Sequence, residues 1–167
     1  SSLTINQTTD RVFSADLGTN LKFTKSGPAS LTLVGSLDPT LAVTLSNGSL
    51  AFVGSPVISS FTQSGGVLRI PLPASPATVP LTVSGNHVRT GGTIVVDVTS
   101  VPQADVSYPL LRYQGGLTGM PAVTINDTSG SGLIAAVSNG TGSDSAISVV
   151  FSTPPPPQYT LTYTAAT

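Results

Sequence analysis

The sequence predicts an all-β fold, and three observations support this class. Glu is absent from the 167 residues and Lys occurs only at Lys22 and Lys25, so the usual solvent-facing helix formers are missing. Ser and Thr are abundant beside Val, Ile and Leu, as on pleated, half-buried surfaces. Short alternating runs recur between turn-forming residues, and no window shows a helical stripe. Two architectures agree with this pattern: an Ig-like or jelly-roll-type β-sandwich, and an irregular β-solenoid of short strands without significant helix.

The alternating runs predict many short strands at fairly regular spacing, which is typical of both architectures. Ser46-Asn47-Gly48 is a candidate tight hairpin between two of them, because Asn-Gly tolerates the positive φ angles of a type I′ turn. The predicted strands cover residues 2–7, 11–15, 20–24, 30–34, 41–45, 49–53, 57–62, 67–72, 79–83, 92–99, 108–113, 122–126, 132–137, 146–152 and 158–164.

Weak internal similarity favours a solenoid, in which equivalent turns of the chain stack on one another. Residues 3–8 resemble residues 123–128, and the triplet at 3–5 resembles the triplet at 21–23, two predicted strands later. A chain rich in Thr, Leu and Val also produces such echoes by chance. Sandwich and solenoid therefore both stay open.

The length predicts a single domain over residues 1–167. Four prolines make residues 71–80 a possible subdomain boundary, because proline cannot donate a ladder hydrogen bond. Pro154–Pro157 predict a stiff polyproline II spacer of about 12 Å. The spacer leads into a predicted terminal strand within 158–167, where Tyr159, Leu161 and Tyr163 alternate with Thr.

Charge and composition restrict the partners and the compartment. The net charge is −1 and no basic stripe is present, which disfavours nucleic-acid binding. No apolar run approaches the roughly 18 residues of a membrane-spanning helix. Because the chain starts at Ser1 without Met, we expect a processed secretory protein, located outside the cell or at its surface. Cys is absent, so we expect no disulfides.

Residues 22–35, KFTKSGPASLTLVG, are followed by LAVTLSNGSLAFVGS, and this passage resembles the autotransporter-associated β-strand repeat of bacterial surface proteins. In that family a K-G-G-T-L-T-L-G phrase precedes a v-n-G-t-L phrase. Residues 82–99 and 108–119 resemble the terminal portions of the same passengers, so that about half of the chain is covered. The resemblance implies an exported, extended, non-catalytic surface structure.

The candidate catalytic and metal-binding residues are few. His87 is the single histidine, and a Ser with Asp97 would have to complete a triad, but no nucleophile elbow is present. The oxygen-rich loops at 126–130 and 139–144 lack the Asp-x-Asp spacing of calcium sites. We therefore expect no catalytic site, no cofactor and no metal.

Glycosylation gives a stronger signal. Four of the six Asn residues lie in N-x-S/T sequons, more than the one or two expected by chance at this Ser and Thr content. Attached glycans would keep a chain with so few charges soluble. The four candidate acceptors are Asn6, Asn47, Asn126 and Asn139.

These observations favour a structural subunit of an extracellular filament, pilus-like fibre or surface layer, which forms a homopolymer by β-strand complementation. The candidate donated strands are 2–7, with Leu3 and Ile5, and 158–164. Two alternatives stay open. One is a viral fibre or capsid protein. The other is an adhesin or carbohydrate-binding module, whose candidate stacking platforms are Tyr108, Tyr113, Tyr159 and Tyr163.

Overall fold

The chain folds into a parallel β-solenoid. The computed structural model describes residues 1–14, 16–119, 122–140 and 145–158, which contain seventeen strands and no helix. The all-β prediction is confirmed, and the parallel stacking agrees with the solenoid rather than with a sandwich of antiparallel sheets. Most of the predicted terminal strand, with Tyr159, Leu161 and Tyr163, lies outside the described residues.

Each turn of the chain, here called a rung, contributes one strand to sheet A and one to sheet B. Both sheets have six parallel strands in rung order. Sheet A contains β1 (Ser2–Ile5), β3 (Lys22–Lys25), β5 (Ala42–Leu45), β8 (Ser60–Gln63), β11 (His87–Arg89) and β14 (Leu117–Thr118). Sheet B contains β2 (Arg11–Ser14), β4 (Ser30–Val34), β6 (Ser49–Phe52), β9 (Val67–Pro71), β12 (Thr93–Val98) and β15 (Val123–Asp127).

The third side of the solenoid is sheet C, which starts at the third rung. In the described residues of the first two rungs, this side has one isolated bridge, between Leu17 and Leu37. Beyond the fifth rung an antiparallel pair extends the sheet, so that its last strand overhangs sheets A and B by one level. Sheet C contains, in spatial order, β7 (Val57–Ile58), β10 (Leu81–Val83), β13 (Ser107–Tyr113), β17 (Ser145–Ser152) and β16 (Ile134–Asn139).

The rungs differ in length, which explains why the repeat is hard to detect in the sequence. The spacing between rungs is nearly constant at first and then grows, as the aligned positions of sheet A show: Leu3, Phe23, Val43, Phe61, His87 and Leu117. The two echoes in the sequence do not reflect these equivalences: Leu3 pairs with Phe23 rather than Leu21, and residues 3–5 lie in sheet A whereas 123–125 lie in sheet B. The strands that pair are therefore determined by where the chain turns and not by the similarity of short sequence segments.

Alternate residues of each strand fill the interior and stack on the same position of the next rung. In sheet B the inner column runs through Leu31, Leu50, Leu68 and Ile94, all buried. Such columns bury the apolar face of each rung against its neighbours, which no single rung can do alone.

The corner between sheets A and B needs a backbone path that glycine supplies. Gly48 and Gly66 occupy successive rungs with φ angles of 70° and 67°. A Cβ added to Gly66 would lie 2.6 Å from the Gly48 carbonyl oxygen, because the two corners are in direct contact. Of the positive φ angles predicted for Asn47-Gly48, only the one at Gly48 is found, and the turn joins strands of different sheets and is not a hairpin.

Polar side chains satisfy the carbonyls that point inward at this corner. The wholly buried Lys25 donates to the Gly27 carbonyl and, at 3.3 Å, to the Asn47 carbonyl, while burial lowers its pKa. Gln63, two rungs on, donates to the carbonyls of Gly66 and Thr93 at 3.3 and 3.1 Å. A buried carbonyl without a donor is costly, so these side chains stabilise the turn.

Two strands were missed and one predicted run is divided. β11 and β14 have three and two residues, too few for a periodicity signal. The run predicted at 57–62 is split at Ser59 between sheets C and A. The proline-rich segment connects β9 to β10, and strands on both sides of it belong to the same three sheets.

We expect Gly66→Ala to destabilise the solenoid more than Gly54→Ala. Both glycines have positive φ, 67° and 86°, but the added Cβ meets backbone only at Gly66 and has nothing within 4 Å at Gly54. The left-handed conformation alone costs about 1 kcal/mol, and the clash adds to this at Gly66. Urea unfolding of both variants measures the difference, and equal losses would show that the corners do not touch.

Candidate functional site

The first rung leaves the interior of the solenoid partly open at the end that we call the N-terminal end. No strand of the described residues pairs with the outer edge of β1 or β2. Leu3, Ile5 and Phe13 are half-buried, whereas the aligned Phe23 and Leu33 of the second rung are buried completely or nearly so. Solenoids normally cover such a cross-section with a cap or a further rung.

The opposite end, called the C-terminal end, is open in the same way. β14, β15 and β16 have no further strand of the described residues on their outer edges. Val137 lies on β16 opposite the buried Val149, yet it is 40% exposed because β16 overhangs the last rung. The last strands of sheets A and B carry the half-buried Leu117, Val123 and Ile125.

Three of the free edge strands lack the residues that normally prevent edge pairing, whereas β2 and β15 each carry one charged residue, Arg11 and Asp127. Soluble β-proteins place charged residues, proline or bulges on edge strands. β1 (SLTI), β14 (LT) and β16 (IAAVSN) contain no charged residue and no proline. These edges therefore present unpaired backbone groups and adjacent apolar side chains, which is the arrangement that accepts an added strand.

His87 lies on a strand, and its side chain faces the interior of the solenoid. It starts β11 and occupies the inner column of sheet A, where its ring lies 5.4 Å from the Phe61 ring and 6.5 Å from the Tyr113 ring. The side chain is wholly buried, and neither ring nitrogen has a hydrogen-bond partner among the described residues. Burial, with a contribution from Arg89, lowers the pKa of His87 to about 4.

Asp97 lies on the outer face of sheet B, separated from His87 by the wall of the solenoid. Its carboxylate pairs with the Arg69 guanidinium, whose Nε donates at 3.0 Å, and accepts a hydrogen bond of 2.7 Å from Asn126 Nδ2. His87 and Asp97 therefore do not form a catalytic pair. The outer face carries an Arg69–Asp97–Asn126 cluster instead.

Three of the four sequon asparagines are exposed. Asn6 follows β1, Asn47 lies in the corner after β5, and Asn126 lies on β15. Asn139, at the end of β16, is half-buried, and Thr141 of its sequon lies outside the described residues. The accessible acceptors thus occupy corners and the outer face rather than the interior.

Tyr108 and Tyr113 are core residues and not the stacking platforms that a carbohydrate-binding module would need. Their exposed fractions are 3% and 2%. The Tyr108 hydroxyl accepts from the Gln103 amide at 2.9 Å, and the Tyr113 hydroxyl donates to the Gly140 carbonyl at 2.6 Å. Both hydroxyl groups thus form hydrogen bonds between sheet C and a connecting segment.

The oxygen-rich loop at 126–130 is satisfied by its own hydrogen bonds. Asp127 accepts from the Ser129 amide and hydroxyl at 2.8 and 2.6 Å and from the Ser131 hydroxyl at 2.9 Å, and these bonds lower its pKa. No group of three or more His, Asp or Glu side chains in the described segments is arranged to hold a metal. The part of the chain that is described also has no helical segment able to cross a bilayer.

Sequence reasoning missed the two open ends because an end exists only once the stacking order is known. The half-buried Phe13 and Leu21 and the exposed Val137 resemble ordinary core residues in the sequence. The signal that could have identified them is the even spacing of the first three rungs, which places the first rung at one end.

We expect the pH dependence of stability between about pH 6.5 and 4 to come largely from His87. The folded chain disfavours the protonated ring, with a pKa of about 4 against 6.5 when unfolded. As the pH falls the unfolded chain takes up this proton first, so the free energy of unfolding falls by about 3 kcal/mol across that window. Below about pH 4 this loss levels off.

His87→Phe should make the free energy of unfolding nearly independent of pH in that window, since Phe fits among the same rings and has no titratable group. Urea unfolding at half-unit pH steps, compared with the original chain, measures the effect. Asp38 and Asp127 act only at lower pH, because hydrogen bonds lower their pKa from 3.8 in the folded chain. If the free energy of unfolding depends on pH in the variant as it does in the original chain, the His87 imidazole is exposed to solvent.

Comparisons of the chain with protein-family models, with curated proteins and with solved structures find no match.

Proposed function

We propose that this chain is a non-catalytic structural subunit of an extracellular filament, pilus-like fibre or surface layer. Its copies form a homopolymer by β-strand complementation, in which a strand of one copy completes a sheet of the next. The observation that carries the proposal is that both ends of the solenoid present strand edges with no partner among the described residues, beside half-exposed core residues, as at Leu3, Ile5 and Val137.

Both open ends expose groups that an added strand would cover. Each free edge leaves backbone N–H and C=O groups without a ladder partner, and each exposed core column leaves apolar area in water. A strand added at an end both pairs with the free backbone groups and covers the exposed apolar side chains. Because each copy can both donate a strand and accept one, the process can repeat and produce a linear assembly.

The low charge of the chain supports the same role. With six basic and seven acidic side chains in 167 residues, electrostatic repulsion between copies is weak. No part of the chain is strongly basic or acidic, so contacts between copies depend on strand pairing and apolar packing. Both act over short distances and favour close, ordered association.

We expect the intact chain to form linear assemblies and the chain without residues 154–167 to lose them. Negative-stain electron microscopy and light scattering over a range of concentrations measure this. Residues 153–158 are exposed, so their removal leaves the described core in place and the free energy of unfolding nearly unchanged. A matched chain in which Pro154–Pro157 are kept and only 159–167 are removed separates the spacer from the strand.

A second truncation, removal of residues 1–15, deletes the first rung and presents the second as the new end. We expect altered assembly rather than loss of folding, because the second rung carries its own inner columns. If neither truncation changes the assembly state, strand complementation is wrong. A chain that stays monomeric at all concentrations rejects the structural-subunit proposal.

We further propose that the exposed sequons carry N-linked glycans. Peptide mapping of native material should show added mass at Asn6, Asn47 and Asn126, with less at the half-buried Asn139. The Asn126 amide keeps one N–H after glycosylation and can retain its bond to Asp97. The same chain made in a host without oligosaccharyltransferase should have 16.8 kDa and serves as the control. Unmodified native material at all four sites would refute this point.

A further inference from the structure

We infer that residues 159–163 of one copy add as a strand to the outer edge of β1 of a second copy. This inference rests on the proposed function and assigns the donor and the acceptor of the assembly. The terminal segment is the donor, and the N-terminal end is the acceptor.

The acceptor edge is β1, which the described strands pair on one side only. Its four residues Ser2–Ile5 align with Lys22–Lys25 of β3 in the same chain. On the inner face Leu3 and Ile5 are half-buried, whereas the aligned Phe23 and Lys25 are buried completely. Since β1 already forms the first rung of its own solenoid, it is the acceptor of a strand rather than the strand that is donated.

A column of threonines marks the outer face of sheet A at this end. Thr4, Thr24, Thr44 and Thr62 align in four successive rungs. Each is flanked by two inward-facing residues, as in Leu3-Thr4-Ile5 and Val43-Thr44-Leu45. Identical side chains in neighbouring strands pack well, and threonine pairs can also hydrogen-bond.

The terminal segment repeats this local pattern. Tyr159-Thr160-Leu161 and Leu161-Thr162-Tyr163 each place one threonine between two apolar residues, without charge or proline. Placed beside β1, either triplet extends the threonine column by one rung and covers Leu3 and Ile5 with apolar side chains. The corresponding triplets at the far end of sheet A, His87-Val88-Arg89 and Leu117-Thr118-Gly119, do not share the full pattern.

The spacer is too short to bring Tyr159 to β1 of its own copy. β17 lies six strand spacings from the position outside β1, about 29 Å along the solenoid at about 4.8 Å per strand. The segment from Thr153 to Gln158 spans about 19 Å as polyproline II. Tyr159 therefore cannot start a strand on β1 of the same copy, so pairing in the register that begins at Tyr159 needs a second copy.

The spacer also suits a donor that leaves its own molecule. The four prolines have no N–H to offer to a sheet and are exposed, as are Thr153 and Gln158. A strand added to β16 by a tight return would need a short flexible turn instead. The chain that follows Gln158 is more than long enough to match the four residues of β1.

Engineered disulfides test the assignment cleanly, because the chain has no Cys. In the double variants Thr4→Cys/Thr160→Cys and Thr4→Cys/Thr162→Cys, one for each register, a mild oxidant should join neighbouring copies. Non-reducing electrophoresis should show a ladder of covalent multimers in at least one of the two, reversed by a reductant.

The matched control is Thr44→Cys/Thr162→Cys. Thr44 belongs to the same column but lies on β5, both of whose edges are paired, so this variant should stay monomeric on the gel. Thr124→Cys/Thr162→Cys tests capping of the chain's own C-terminal end, since Thr124 is exposed on β15. An internal disulfide in that variant, seen as a monomer with two thiols lost, overturns the inference.

The outcomes separate this inference from the proposed function. If the original chain assembles but neither Thr4→Cys double variant cross-links more than the Thr44→Cys control, only the assignment of donor and acceptor is overturned. A chain that never assembles overturns both.

Discussion

The corner between sheets A and B is the constraint on which the rest of the structure depends. Parallel strands stack at about 4.8 Å only if each rung turns along nearly the same path as the rung before it. Gly48 and Gly66 make that path possible, because their positive φ angles and missing side chains let successive corners touch. Lys25 and Gln63 then satisfy the carbonyls that the turn directs inward.

Once the corners align, the interior becomes a set of columns, and the position of a residue in its column decides its environment. His87 stands where other rungs of sheet A place Phe61 or Val43, so it is held neutral in an apolar interior instead of acting in solvent. The same columns end at the first and last rungs, where Leu3 and Val137 are left partly uncovered. Core formation and the open ends thus have one origin.

Much of the fold could be predicted from the sequence, because its signals are local. Alternation within strands and glycine at turns located most strands and the positive φ of Gly48. The roles of His87, Tyr108 and Tyr113 could not be predicted, since nothing near them in the chain shows that they face inward. For His87 and Tyr113 the environment is set by partners on other rungs, far away in the sequence, such as Phe61 and Gly140.

The sequence by itself determined that the chain is all-β, weakly charged and free of disulfides, because these properties follow from composition and short-range pattern. Only the tertiary structure decided between solenoid and sandwich, since that choice depends on which strands pair, and rungs of unequal length hide the pairing. It also decided which edges stay free. An edge is a property of the stacking order, and no segment of the sequence contains that order.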